Sequence, residues 1–308
     1  MKILLFLTVL LCFARTLSLE ASEYAVALVP APVLNTPDFK GVFGGPGGAD
    51  LKMDRCGQVR ELEHIALPGS VFKILKKLRS GSADIYQVET EEYTAPPNVR
   101  LYVESRFLRF ESTAVFPRQK SLPSRDGIVA ALLSTVGSRY VWGGNIPGGV
   151  PELSTWFFKV GREIDRDRNT LAGLDCSGLL YHATGGWTPR NTSQLLLYGQ
   201  GVLIAGKTSA EIAAALQPLD LVVWNGHVVI VLDRHTAIES RLECGKPGNG
   251  GVVVTQLSQR LAEIMRTRQP VDAWPNAWTN AKKDHNFFVV RRWYDLQKEI
   301  SGDNKSNR

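Results

Sequence analysis

The sequence predicts an α+β protein in which a helix carrying a cysteine packs on an antiparallel sheet, preceded by a small all-β unit. Three observations predict it. Asp175-Cys176-Ser177-Gly178 leads into an apolar run, Leu179-Leu180-Tyr181, and Gly185-Gly186 closes it, which defines one short helix. Leu221–Trp224, His227–Leu232 and Thr236–Ser240 are strand-like runs joined by Asn225-Gly226 and by Asp233-Arg234-His235, a three-stranded meander. Between 23 and 115 only short apolar runs occur, separated by turn residues, as in a barrel or sandwich.

Taken in order, residues 1–18 read as a secretory signal: Lys2 is the positive start and Ile3–Ala14 an apolar stretch short of a comfortable membrane span. Cleavage is expected after Ser18; the alternative is an uncleaved N-terminal anchor. No later segment reaches membrane length, so the mature chain is expected to be soluble, exported and without a transmembrane segment. The 308 residues, 44% hydrophobic and 21% charged, suit one large or two modest domains. A net charge of +6 fits contact with anionic polymers of a cell envelope or an ordinary solvated surface. No basic and aromatic run suggests nucleic acid.

The all-β unit is placed at 23–115. Tyr24–Val29 alternates, a glycine-rich loop follows at 44–48, and apolar runs recur at 58–66, 70–78, 84–88 and 99–103. A polar segment between prolines, 116–123, is the expected linker to a domain at 124–295. Ser124 caps a helix through Leu133. Residues 145–173 form a long insertion, with a helix expected over Leu153–Val160 and a charged stretch after it. It reads as a lid, a specificity element or a solvated excursion. Helices are expected at Ser209–Leu216 and Ser258–Arg268, and strands at Val252–Leu257 and Asn286–Trp293. Residues 296–308 are expected to be a disordered tail.

The chemistry centres on Cys176. A cysteine at a helix start feels unpaired amides and the positive end of the dipole, which favour the nucleophilic thiolate. It needs a base and an orienter: His227 opens the second meander strand, and Glu239, late in the third, is the acceptor expected to hold the imidazole. Beyond the signal lie Cys56, Cys176 and Cys244, an odd number that suits one reactive thiol. Cys56 and Cys244 either form a disulfide or remain two unpaired thiols. Cysteine and histidine spacings do not match a zinc site, and neither metal nor cofactor is expected. His64, His182, His235 and His285 default to structural or surface roles.

Five motifs carry a resemblance: Tyr140-Val141-Trp142-Gly143-Gly144, Leu174-Asp175-Cys176-Ser177-Gly178, Pro189–Gln194, Pro218–Leu221 and Gly226–Val231. Together, and in this order, they resemble the NlpC/P60 family of papain-like cysteine peptidases over about residues 124–295. The family's third polar residue is usually histidine; Glu239 replaces it here. Leu67–Leu75 and Leu101–Leu108 resemble a bacterial SH3-type domain, which often precedes such peptidases. The resemblance implies hydrolysis of peptidoglycan stem peptides, most often between D-glutamate and a diamino acid, with peptidoglycan or muropeptides as the partner. It implies that Tyr140 lends its hydroxyl to the oxyanion site and that Asp175 and Ser177 bind a free amine, or else cap the helix. Arg190 binds a substrate carboxylate or caps a loop. An SH3-like domain supplies acidic or tyrosine contacts in such relatives; Glu61, Glu91 and Tyr93 are the candidates.

Overall fold

The computed structural model describes residues 23–44, 50–80, 83–158, 166–275 and 286–295. The expected signal segment, the glycines at 45–48, the charged stretch at 162–165, His285 and the expected tail lie outside these residues. Among the described residues no helix is long and apolar enough to cross a membrane.

The fold is mixed α+β, built on two antiparallel sheets. The first holds β1 (Tyr24–Ala27), β2 (Ala31–Leu34), β3 (Leu62–Ala66), β4 (Val71–Ser80), β5 (Ala83–Glu89), β6 (Leu101–Glu104) and β7 (Leu108–Glu111), in the order β3-β2-β6-β5-β4-β1-β7. The strands bury Val33, Ile65, Phe72, Ile85 and Val103 in one core, and Phe107 joins them from the single turn between β6 and β7. Helix α1 (Phe39–Gly44) adds Phe39 and Phe43 to this core.

Helix α2 (Arg125–Ser134) follows, and Ser124 Oγ accepts from the Gly127 amide, the expected cap. The insertion at 145–173 is anchored on the first sheet. After β8 (Asn145–Ile146), Val150, Leu153 on α3 (Pro151–Phe157), Phe158 and Leu171 join the first sheet's core. The helix starts two residues earlier than expected because Pro151 suits a first helical position. After α4 (Arg166–Asn169), β9 (Gly173–Leu174) pairs with β8 and delivers the chain to α5 (Cys176–Ala183), then α6 (Thr192–Leu195).

The second sheet contains β10 (Gln200–Gly201), β11 (Leu221–Trp224), β12 (His227–Val231), β13 (Thr236–Leu242), β14 (Gly250–Gln256) and β16 (Phe287–Arg292), ordered β10-β16-β11-β12-β13-β14, with β15 (Gln269–Pro270) parallel to β16. Both faces are covered, which is why β11 is buried at every position. Leu221, Val223, Val228, Ile230 and Ile238 pack against α2 and α5. Val222, Val229, Val231 and Ala237 pack against α7 (Ser209–Ala215) and α8 (Leu257–Met265). The cap of α7 is Thr208 and not Ser209: Thr208 and Glu211 form a reciprocal capping box.

Cys56 and Cys244 form a disulfide across 188 residues. It ties the loop before β3 to the tip of the β13–β14 hairpin. Just behind its tip the hairpin also holds the segment before Tyr140: Gly137 N donates to Val252 O (3.0 Å) and Val252 N to Ser138 O (2.9 Å). Replacing both cysteines by serine is expected to lower stability by about 2–5 kcal/mol. Urea unfolding of the two proteins measures it, and matching midpoints would contradict it.

Candidate active site

Helix α5 begins at Cys176 because Asp175 caps it: Asp175 Oδ1 accepts from the Gly178 amide at 2.6 Å. Gly178 is required for a close approach, since a Cβ there would lie 2.0 Å from the Gly144 carbonyl oxygen. The Gly144 backbone thus lies directly against the first turn of α5. The Gly144 carbonyl in turn accepts from the Asp175 amide at 2.9 Å.

The Cys176 sulfur is brought to the start of β12 and lies against the residues on either side of His227. Sγ donates to Gly226 O at 3.7 Å, and the Val228 and Ser177 amides also interact with it. The thiol is 6% exposed, and burial pushes its pKa up to about 12, with the Asp175 charge adding to the rise. The helix start favours the thiolate, as expected, but only in part. The amides do lower the value, but loss of water outweighs them. The sulfur therefore rests protonated, and ionising it requires a base.

His227 supplies the imidazole. Its Nε2 lies 2.7 Å from Glu239 Oε2. The Trp224 ring, opposite His227 in the β11–β12 register, lies 4.9 Å from it between centroids. With Nε2 engaged by the carboxylate, Nδ1 is the nitrogen left to take a proton.

Glu239 is fully buried. Burial alone would raise its pKa, but the His227 hydrogen bond and the His227 and Arg260 charges hold it below the usual carboxylate value. A depressed native pKa stabilises the fold above the unfolded value of about 4.5, and that contribution is lost as pH falls through the native one. Stability is thus expected to drop on acidification below about pH 4.5, and Glu239→Gln is expected to flatten that drop. Urea midpoints across pH 3–7 measure this; parallel curves for the two proteins would contradict it.

Arg190 is 1% exposed and engaged inward. Nη1 donates to Asp175 Oδ1 (3.0 Å) and Ser177 Oγ (3.0 Å), and Nη2 to Asp175 Oδ2 (2.7 Å) and Gly144 O (3.2 Å). Nε donates to Asn145 Oδ1 at 3.2 Å. Asp175, Ser177 and Arg190 thus form one buried cluster under the start of α5, and the capping role weighed for Asp175 is present. Tyr140 is 9% exposed; burial and the Asp175 charge push its pKa up, so its hydroxyl keeps its proton as a donor.

On the first sheet, Tyr93 is buried, donates to Glu63 Oε2 at 2.6 Å and stacks on His64 at 4.4 Å. Burial and the Arg190 charge hold His64 neutral, with its pKa lowered to about 3. Glu61 pairs instead with Lys52 at 2.6 Å, and Glu91 is exposed. Two open pockets, of about 520 and 380 Å³, share Glu91 and Glu92; the second reaches Trp187, Pro189 and Gln194. Glu92 also accepts from Tyr181 on α5 at 2.9 Å.

Sequence reasoning missed Asn145, Glu63, Glu92 and Arg260. Asn145 exchanges two hydrogen bonds with the Ile65 backbone on β3 (3.0 and 2.9 Å) and so joins the first sheet to Arg190. Its place directly after Gly143-Gly144 was the available signal. Among the described residues no group of three His, Cys, Asp or Glu side chains is arranged to hold a metal ion.

No family model matches this sequence, and no curated relative does. In structure the chain is similar to an NlpC/P60 family protein from Bacillus cereus ATCC 10987, at 14% identity and TM-score 0.32, covering 89% of this chain and 64% of that one. RipD from Mycobacterium tuberculosis, a non-catalytic NlpC/p60 domain protein with a peptidoglycan-binding function, is similar at 22% identity and TM-score 0.27, covering 43% of this chain and 92% of that one. NlpC2 from Trichomonas vaginalis is similar at 13% identity and TM-score 0.29, with 89% and 73% covered. The structural neighbours are thus NlpC/P60 proteins, one of them non-catalytic, and the chain spans 64% of the length of the Bacillus protein.

Proposed function

We propose that this protein is an exported cysteine peptidase of the NlpC/P60 type that hydrolyses peptidoglycan stem peptides at the γ-D-glutamyl–diaminopimelate bond, in the periplasm or cell envelope. The observation that carries the reading is the His227–Glu239 pair at 2.7 Å beside a buried free cysteine at a helix start. The ordered motifs quoted above support the substrate class. In this reading the first sheet is an SH3-like domain. It narrows the cleft and contacts the wall polymer, and Glu91, Glu92 and Tyr93 face the substrate side.

His227 takes the proton from Sγ as the sulfur attacks the amide carbonyl. The amides at the start of α5 and the Tyr140 hydroxyl stabilise the oxyanion. The imidazolium passes its proton to the departing amine, leaving a thioester on Cys176. A water deprotonated by His227 then hydrolyses the thioester, freeing the thiol. Glu239 fixes the tautomer that makes this order possible. Arg190 acts through Asp175 and Ser177, holding the first turn of α5 in place.

Mass spectrometry of products from a free stem tripeptide, L-Ala-γ-D-Glu-diaminopimelate, and from the same peptide joined to muramic acid tests the reading. The expected product is free diaminopimelate. Release of an intact stem peptide would assign the chain as an N-acetylmuramoyl-L-alanine amidase. Binding of both substrates without cleavage would assign a wall-binding protein.

A further inference from the structure

Glu239 meets two opposing demands. A buried carboxylate without a counter-charge is costly. One paired only with the imidazole also stabilises the imidazolium and holds it in the acid form, unfit to accept a proton from a thiol. The structure meets both demands with an arginine from another element. Arg260 on α8 lays its guanidinium along the carboxylate, with Nε 2.7 Å from Oε1 and Nη2 donating to Oε2 at 2.9 Å. Oε2 therefore receives both Arg260 and His227 Nε2.

Arg260 is placed by the sequence of α8. Leu257, Leu261 and Ile264 bury one stripe of the helix on the β12–β13 face, and Arg260 projects beside that stripe with its side chain 15% exposed. Its Nη1 donates to Glu263 Oε2 at 3.2 Å. The other charged groups near the pair are weaker or farther away. Arg241 reaches Oε1 only at 3.7 Å and shares itself with Glu243 at 3.4 Å. Arg268 lies over the Trp224 ring at 4.6 Å. From α5 the Cys176 thiol faces the start of β12, and Asp175, which caps that helix, is held by Arg190.

We propose that Arg260 is a positioning residue of the site: by sharing the charge of Glu239 it lets the carboxylate orient His227 and leaves the imidazole free to take the thiol's proton. This rests on reading His227 as the base.

The test needs no peptide substrate. In the full chain, the His227 Cε1–H resonance, assigned by its loss in His227→Asn, is titrated by NMR in the wild type, Arg260→Gln, Arg260→Lys and Glu239→Gln/Arg260→Gln. Iodoacetamide alkylation of Cys176 is followed by peptide mass mapping over the same pH range. In Arg260→Gln the midpoint is expected to rise by about one pH unit, and the acid limb of alkylation to move up with it. Arg260→Lys is expected to stay closer to wild type. The double variant is expected to reverse the rise, and it supplies the comparison with the wild type should Arg260→Gln fail to fold. A thermal midpoint that falls in Arg260→Gln while the titration and alkylation curves stay in place would overturn the proposal. A double variant titrating as high as Arg260→Gln, or well above the wild type, would overturn it too. Because both readouts are made without peptide, lack of cleavage by the wild type would count against the peptidase reading alone.

Discussion

Cys176→Ala is expected to abolish hydrolysis, with a loss on the order of 10⁴–10⁶-fold in kcat while the fold is retained. The size follows from the arrangement. The attacking atom is the one free cysteine among the described residues. Nothing else beside Gly226 and His227 offers a nucleophile on that helix turn: Ser177 Oγ is turned inward to Asp175 and the Arg190 guanidinium. Removing the sulfur also removes a buried thiol that interacts with the Gly226 carbonyl, so the packing change is small and unfolding midpoints should stay within about 1 kcal/mol of wild type. Steady-state cleavage of a stem tripeptide, with circular dichroism as the folding control, measures both. Substantial residual turnover in Cys176→Ala would remove the sulfur from the mechanism.

The second large effect is on stability. Arg190→Met is expected to cost about 3–5 kcal/mol, because it leaves the Asp175 carboxylate inside the protein without its partner. The cost spreads beyond the pair. Arg190 also anchors Ser177, the Gly144 carbonyl and Asn145, and Asn145 is bonded to β3 of the first sheet. Loss of the guanidinium should therefore loosen the start of α5 and the seam between the two sheets together. Adding Asp175→Asn removes the stranded charge and should recover part of the loss, a coupling that a double-mutant cycle in urea reads directly. A cost below about 1 kcal/mol for Arg190→Met would mean that water reaches Asp175 and that the cluster is not a structural unit.

The helix, the meander and the cap at Ser124 were legible because each is written locally. Asp175 before an apolar run and Gly185 after it bound one helix, and Asn225-Gly226 between two apolar runs marks one hairpin. The pairing of His227 with Glu239 was legible for the same reason, since neighbouring strands of a meander bring the two together. What depends on distant partners was not. Arg190 reads equally well as a substrate ligand until Asn145 and Asp175 are seen to enclose it. Arg260 looks like an exposed charge on an amphipathic helix until α8 docks on the sheet beside Glu239. How strongly burial opposes the thiolate was not legible, because sequence shows the helix start but not how completely the sulfur is desolvated. The 145–173 segment reads in sequence as a lid, a specificity element or a solvated excursion, and its anchoring was not legible: Leu153 and Phe158 lie in the core of the first sheet.

The central claim is that Cys176 forms a thioester with the peptide it cleaves, and trapping that species tests it most directly. The wild type is mixed with L-Ala-γ-D-Glu-diaminopimelate, quenched in acid within the first turnover, digested and mapped by mass spectrometry. The account predicts an L-Ala-γ-D-Glu acyl group on the peptide containing Cys176, lost on treatment with hydroxylamine and missing from Cys176→Ala. Cleavage that proceeds without any adduct on Cys176, or an adduct on another residue, would contradict it.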